Sequence, residues 1–349
     1  MHSATIDAGV LAAPPLTANR EEVYQYVDTL LDWQRLLDEP WISIYMSERA
    51  SQTLIEQGLF PLRDPLKALF SSKSIVEYSV NDVAVVAERL LSLTPSFETY
   101  FCVKDVLLEN LATEPELLSL TVGEGMASDL GRCIVLLAIL RNYCRNLVND
   151  HTLILKRSPI SGQVIVKAII HAIEHERDDL YGIPAPPEIF EGVVLTCQDF
   201  RGLILCINES AVWITAQDPI GKGLAVRIAV YKSRIDRRIE PDWDELPSFM
   251  FGERFVDIAG NICSRNMNDL VPKLLRSIVE TLDRQNMGAV HPLREHEGGG
   301  SPQRERSSDG AKAWRRDIDY EYHLHYWQCD GGVIEFGSIG PHNDFQIPE

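Results

Sequence analysis

Histidine and arginine residues gather in one stretch late in the sequence. His323, His325 and His342 follow shortly after the adjacent pair Arg315 and Arg316. An imidazole can accept and return a proton near neutral pH, and a guanidinium carries a permanent positive charge. Residues of these types can therefore transfer protons and stabilise a developing negative charge, which is chemistry that needs no metal ion and no cofactor.

Three short β-strands are predicted to position these side chains. They are rich in aromatic and β-branched residues and cover Ala313–Ile318, Tyr322–Trp327 and Val333–Ile339. The Asp-Gly pair in Cys329-Asp-Gly-Gly332 predicts that a hairpin joins the second and third strands. Successive strand residues point to opposite faces, so only one of Arg315 and Arg316 can share a face with His323 and His325. We favour Arg315 for that position.

The last quarter or so of the chain resembles the RelE/ParE toxin superfamily. A predicted helix at about Met267–Asn286 precedes a Gly-rich loop, and the strands follow. The motifs that carry the resemblance are His291-Pro-Leu-Arg294, Ala313-Trp-Arg-Arg-Asp-Ile318, Tyr322-His-Leu-His-Tyr-Trp327 and an Ile-Glu-Phe strand leading to Ile339-Gly-Pro-His-Asn-Asp-Phe345. The resemblance implies a small α+β module at residues 261–349.

The same resemblance implies an activity and a set of site residues. Many members cut messenger RNA on the ribosome, whereas the ParE branch poisons gyrase. The implied catalytic residues are Arg315, His323, His325, Tyr326 and His342. The implied nucleic-acid-binding residues are Arg294, Arg304, Arg306, Lys312 and Arg316. Asp317, Asp319 and Glu321 depart from the basic surface of the family, which leaves open a different substrate or a non-catalytic role.

A second constellation, His171-Ala-Ile-Glu-His175, has the spacing of inverted zinc peptidases. On a helix, residues four apart share a face, so both imidazoles would bind zinc and Glu174 would act as the base. The third ligand would be Glu245 or Glu253. A solvated helix end explains the same residues without a metal.

Composition bounds the partners and the compartment. The formal net charge of −18 excludes broad nucleic-acid contact over the whole surface, because phosphates would be repelled. Residues 1–260 carry −14 of that charge, whereas the range from His291 to Arg316 contains six basic and four acidic residues. The seven scattered cysteines contain no C-x-x-C pair, which is typical of reduced thiols in a cytoplasmic protein. No apolar run approaches the roughly 20 residues that span a bilayer, so no membrane partner is expected.

The chain is predicted to be α+β with four parts. Residues 1–19 are expected to be a disordered tail, and residues 20–183 a helical domain that ends before Pro184-Ala-Pro-Pro187. Residues 184–260 are expected to form an antiparallel β-meander, and residues 261–349 the RelE-like module. The strands predicted for the meander are Val193–Cys197, Leu203–Ile207, Ala211–Thr215 and Leu224–Tyr231.

The function predicted from these features is a metal-independent endoribonuclease that acts as a toxin or defence effector on RNA or the ribosome. The acidic N-terminal part would regulate it and bind a protein partner. The alternative is a non-catalytic interaction subunit of a larger assembly, in which the histidines and arginines bind a partner.

Overall fold

The computed structural model describes residues 2–144, 151–177, 188–264, 266–296 and 300–349. The chain is mixed α/β and divides into two compact units, Met1–Cys206 and Ile207–Glu349. Each unit contains one mixed β-sheet. Within the described ranges, no helix has the length and apolar character needed to cross a bilayer.

Unit 1 is built on a six-stranded sheet. Its strands are β1 (His2–Ile6), β2 (Ile42–Met46), β3 (Val103–Glu114), β4 (His151–Ile154), β5 (Gln163–His175) and β6 (Glu188–Cys197). Their spatial order is β2-β1-β4-β6-β5-β3. The first four strands in that order pair in parallel, and β5 and β3 are added antiparallel.

Nine helices are described in unit 1. They are α1 (Ala8–Leu11), α2 (Arg20–Leu36), α3 (Ala50–Glu56), α4 (Arg63–Lys73), α5 (Val80–Leu93), α6 (Phe97–Phe101), α7 (Leu117–Leu120), α8 (Gly123–Tyr143) and α9 (Phe200–Cys206). The sequence of α8 is apolar on all sides from Cys133 to Leu140, and these residues are buried against the sheet. This helix forms the centre of the unit 1 core.

Three expectations for unit 1 are wrong. Residues 20–183 do not form a helical domain, because the strands β2, β3, β4 and β5 lie within that range. Residues 1–19 are not a disordered tail, because His2–Ile6 forms a strand between β2 and β4, and Ala4 and Ile6 are fully buried. His171–His175 is not helical but ends strand β5. Strand residues four apart are separated by about 13 Å, too far for both imidazoles to bind one zinc ion. His171 instead faces Glu109 on the neighbouring strand, with Nε2 3.4 Å from Oε2.

Unit 2 combines four helices with a five-stranded sheet. The helices are α10 (Glu209–Thr215), α11 (Pro219–Asp236), α12 (Phe255–Cys263) and α13 (Met267–Leu282). The strands are β7 (Phe249–Phe251), β8 (Val290–Pro292), β9 (Lys312–Asp317), β10 (Tyr322–Gln328) and β11 (Ile334–Pro341). Their order is β7-β11-β10-β9-β8, with β7 parallel to β11 and the other pairs antiparallel.

The predicted β-meander is also wrong beyond Cys197. Its first strand lies in β6, but the next three runs form α9, α10 and α11. Two residues between the predicted strands are helix N-caps: Asn208 Oδ1 accepts from the amide of Ala211, and Asp218 Oδ1 accepts from the amide of Gly221. Pro219 occupies the first turn of α11. The periodicity of a short apolar run does not distinguish a strand from a helix, and here the N-capping residues favour the helix.

The late elements agree with the sequence. The predicted helix and the three predicted strands are confirmed as α13, β9, β10 and β11. The compact unit that contains them begins at Ile207 rather than at residue 261. The expected boundary at Pro184–Pro187 lies outside the described residues.

Candidate functional site

One face of the unit 2 sheet carries the predicted chemistry. His325 on β10 lies directly opposite Arg315 on β9 and Ser338 on β11. Arg315 in turn lies opposite His291 on β8. Cross-strand partners share a face, so these four side chains form one row across the sheet.

A second row adds a carboxylate and another imidazole. His323 lies opposite Asp317, and its Nε2 is 2.9 Å from Asp317 Oδ1. The ring centroid of His342 is 4.1 Å from that of His323, and the centroids of His323 and His325 are 6.3 Å apart. We call His323, His325, His342, Arg315 and Asp317 the imidazole face.

Two residues of the imidazole face are closed to solvent. His323 is 1% exposed and His325 is fully buried. His342 is exposed, and the Asp317 side chain keeps 41% of its accessible surface. Solvent therefore reaches the cluster from the side of His342 and Asp317.

Three buried nitrogen atoms of this face lack a hydrogen-bond partner among the described residues: His323 Nδ1, His325 Nε2 and Arg315 Nε. The other ring nitrogens are engaged. His325 Nδ1 is 3.1 Å from the carbonyl oxygen of Gln346, which can only accept, so this nitrogen carries the proton. His323 Nε2 lies 2.9 Å from Asp317 Oδ1, which can only accept, so we assign the ring proton to this nitrogen. These proton positions are assigned from the partners, and each imidazole is left with one nitrogen whose lone pair accepts no hydrogen bond.

Burial sets the charge of both imidazoles. Burial, together with repulsion from His342 and Arg315, lowers the pKa of His323 to about 4, and Asp317 opposes the shift. Burial also lowers the pKa of His325 to about 4, against the hydrogen bond to Gln346 and the charge of Asp344. Both rings are therefore neutral at pH 7 and able to accept a proton.

Two residues expected in the site lie on the opposite face. Tyr326 is buried with its ring centroid 6.4 Å from that of Phe336, and burial raises its pKa to about 12. Arg316 is fully buried, with Nη1 2.8 Å from Glu280 Oε2 on α13. Its Nη2 donates to the carbonyl of Gln285 at 2.6 Å. Strand alternation places both residues toward the helix, where Arg316 anchors α13 to the sheet.

The basic loop residues mainly hold the loop itself. Arg306 lies between Asp309 and Glu335, at 2.6 and 2.8 Å, so its charge is already compensated. Arg294 donates to the carbonyl of Ser301, and Arg304 Nη2 is 3.4 Å from the carbonyl oxygen of Glu295. Lys312 is exposed at the start of β9. Of the predicted phosphate-binding set, Arg306 and Arg316 have structural ion pairs instead.

Sequence reasoning missed the role of Asp317 as the partner of His323. Strand alternation could have found it, because Asp317 follows Arg315 by two positions and therefore shares its face. The second omission is the segment Asn343–Glu349, which contributes the carbonyl of Gln346 to His325. The sequence carries no motif for that contact.

Unit 1 contains a buried polar cluster that the sequence did not reveal. Arg132 on α8 pairs with Glu98, and its Nη2 is 2.9 Å from Ser47 Oγ. Asp7 directly follows β1, and its Oδ2 accepts from the Gly9 amide at 2.9 Å and from Thr121 Oγ1 at 3.1 Å. Burial raises the pKa of Asp7 to about 7. The pairing ties α6 and α8 to the carboxyl end of β2.

Comparison with known proteins adds no relative. No family model, no curated protein and no solved structure matches this chain. The resemblance to RelE/ParE toxins therefore stays a prediction, and the function rests on the geometry of the site.

Proposed function

We propose that the imidazole face of unit 2 is the centre of a metal-independent endoribonuclease, acting in the cytoplasm as a toxin or defence effector. The supporting observation is the set of three buried nitrogen atoms without partners, His323 Nδ1, His325 Nε2 and Arg315 Nε. A buried polar atom left unpaired costs about 1–3 kcal/mol. Three of them on one sheet face are explained by a polar ligand that pairs with them, because phosphate oxygens of RNA accept from Arg315 and its hydroxyl and base N–H groups donate to the two imidazoles.

His323 is the proposed general base. Asp317 holds its Nε2–H, which directs the lone pair of Nδ1 toward the substrate. That lone pair takes the proton of the 2′-hydroxyl as the 2′-oxygen attacks phosphorus. Because the pKa of His323 is about 4, the ring is unprotonated and ready at neutral pH.

Arg315 and His342 complete the proposed reaction. The guanidinium of Arg315 stabilises the negative charge that builds on the phosphate oxygens. The exposed imidazole of His342 gives a proton to the 5′-oxygen as the phosphorus–oxygen bond breaks. The products are a 2′,3′-cyclic phosphate and a 5′-hydroxyl, and the proton taken by His323 returns to solvent through the exposed side of the cluster. His325 Nε2 carries a lone pair and can only accept, so it binds a hydroxyl or base N–H group of the RNA.

The test is cleavage of end-labelled single-stranded RNA by the full chain. We expect cleavage that persists in EDTA, leaves cyclic phosphate ends, and spares DNA of the same sequence because DNA lacks the nucleophile. His323→Gln and Arg315→Met should each lower the rate by on the order of 10²-fold. The matched control is His296→Gln, a histidine that is exposed and outside the imidazole face. Equal cleavage by wild type and His323→Gln contradicts the proposal.

The near-complete burial of His323 and His325 favours a second candidate, a non-catalytic interaction subunit. In that role the two buried imidazoles pack inside the unit and do not bind the partner as expected from the sequence, and the acidic unit 1 binds a basic protein partner. Unit 1 has 28 acidic against 16 basic residues, a net charge of −12. This candidate predicts that no RNA is cut by any variant and that a basic protein copurifies with the full chain.

A further inference from the structure

The imidazole face is closed by residues of the same chain. We call Asn343–Glu349 the covering segment. Its main chain accepts two hydrogen bonds from residues of β10 on this face: the Gln346 carbonyl from His325 Nδ1 at 3.1 Å, and the Pro348 carbonyl from Trp327 Nε1 at 2.9 Å. The segment therefore lies along β10 on this face, from His325 to Trp327.

One apolar side chain anchors the covering segment. Ile347 is 7% exposed and packs in a small cluster with Leu293, Ala313 and Trp327. The fit depends on the bare backbone of Gly337, where an added Cβ would lie 2.6 Å from Ile347 Cγ1. Gly337 is also the extra residue of a β-bulge, since His325 pairs with Ser338 and Tyr326 pairs with Phe336. The sheet is thus locally shaped to receive Ile347.

Two further residues of the covering segment approach the candidate catalytic groups. The Phe345 ring centroid is 5.8 Å from the guanidinium carbon of Arg315. The carboxylate of Asp344 lies beside Gly340, the β11 partner of His323, where an added Cβ would be 2.8 Å from Asp344 Oδ2. Its Oδ1 accepts from the Gln346 amide at 2.9 Å. An anionic group followed by a flat ring has the chemistry of a nucleotide, with a phosphate near an imidazole and a base against an arginine.

We propose that the covering segment is an autoinhibitory pseudosubstrate, in which Asp344 and Phe345 hold the place of the phosphate and base of an RNA nucleotide. RNA and the covering segment then compete for His325 and Arg315, and the segment leaves before cleavage. This inference rests on the proposed ribonuclease function. The segment is held by one buried side chain and a few hydrogen bonds, so it can detach locally while the sheet stays folded.

The experiment measures the exposure of His325 separately from RNA cleavage. Diethyl pyrocarbonate modifies unprotonated imidazole nitrogen, and the rate at His325 is read by peptide mass spectrometry in the full chain. Gly337→Ala pushes on Ile347 and Ile347→Ala removes the anchor. Each should raise the modification rate of His325 by on the order of tenfold, and RNA cleavage should rise with it. The control is Asn343→Ala, an exposed position of the same segment.

The outcomes separate the inference from the function. If His325 modification rises but no RNA is cut, the result supports coverage of His325 by the segment, and the ribonuclease proposal fails. If wild-type cleavage depends on His323 but neither variant raises modification, the autoinhibition is wrong and the ribonuclease stands. A measurement on the unaltered chain decides if the variants unfold. A saturating 2′-deoxy dinucleotide should speed hydrogen exchange at residues 343–349, and unchanged exchange overturns the inference.

Discussion

Asp317 and His323 form a close charged contact in the candidate site, with 2.9 Å between Asp317 Oδ1 and His323 Nε2. A carboxylate oxygen can only accept, so the contact favours a proton on Nε2 and leaves the lone pair on Nδ1. This makes Asp317 a positioning residue, because it acts on substrate through His323. The same contact also sets how readily His323 is protonated.

We expect Asp317→Asn to lower RNA cleavage by on the order of 10²-fold, because an asparagine amide can donate to His323 Nε2 and select the wrong tautomer. The carboxylate raises the pKa of His323, so its loss should also move the acid limb of the pH–rate profile to lower pH. The control is Glu321→Gln, an exposed acid in the same hairpin. A rate loss with no movement of the acid limb would show only a structural role.

Arg315 and Arg316 are adjacent but lie on opposite faces of the sheet, so Arg316 stabilises the fold whereas Arg315 belongs to the candidate site. Arg316→Met leaves Glu280 without its buried partner, so we expect the free energy of unfolding to fall by about 3 kcal/mol. Arg315→Met, on the other face, should cost much less stability while it lowers cleavage. Urea denaturation of both variants measures the difference, and equal destabilisation contradicts the assignment of faces.

The two buried imidazoles make stability depend on pH. Their folded pKa values are about 4, below the ordinary 6.5. Between these values the unfolded chain binds more protons, so the free energy of unfolding falls as pH decreases through this window. We expect His325→Gln to lose less stability than wild type between about pH 7 and about pH 4.5. Identical losses in urea titrations would show that His325 is not buried in its neutral form.

At the scale of elements, sequence patterns succeeded where polar and apolar residues alternate clearly. The strands β9 and β10 and the helix α13 carry such patterns. Alternation predicted that only one of Arg315 and Arg316 shares a face with His325, and the structure places Arg315 there. The patterns failed in α9, α10 and α11, because short apolar runs fit both a strand and a helix. The capping roles of Asn208 and Asp218 became visible only with the backbone in place.

The covering segment could not be predicted from its own residues. Asn343–Glu349 has no regular secondary structure, and its order comes from Ile347 and from main-chain acceptors used by His325 and Trp327. Such contacts depend on which side chains the sheet presents across β10. They are therefore a tertiary property, and the burial of the imidazole face follows from them.

At the scale of the whole molecule, the unit that carries the candidate site is larger than the sequence indicated. The helix α13 packs against α10 and α11, and β7 pairs with β11. All three of these partners precede residue 261. A module that begins at residue 261 would expose one side of α13 and leave β11 as an unpaired edge.

We therefore expect residues 207–349 to fold when expressed alone and residues 261–349 to remain unfolded or aggregate. Circular dichroism and urea denaturation of the two fragments measure this difference. A cooperative unfolding transition for residues 261–349 would contradict the boundary at Ile207. Cleavage by the 207–349 fragment at a higher rate than by the full chain would support regulation by unit 1.

The central place of β1 has a consequence for how unit 1 assembles. His2–Ile6 pairs with β2 on one side and with β4 on the other. During synthesis β1 emerges long before His151–Ile154, so its backbone amides on that side wait for a partner from far along the chain. Such distant pairing slows folding and leaves an unpaired, aggregation-prone strand edge while the chain is still being synthesised. We therefore expect a chaperone to assist unit 1 during synthesis, before β4 has paired with β1.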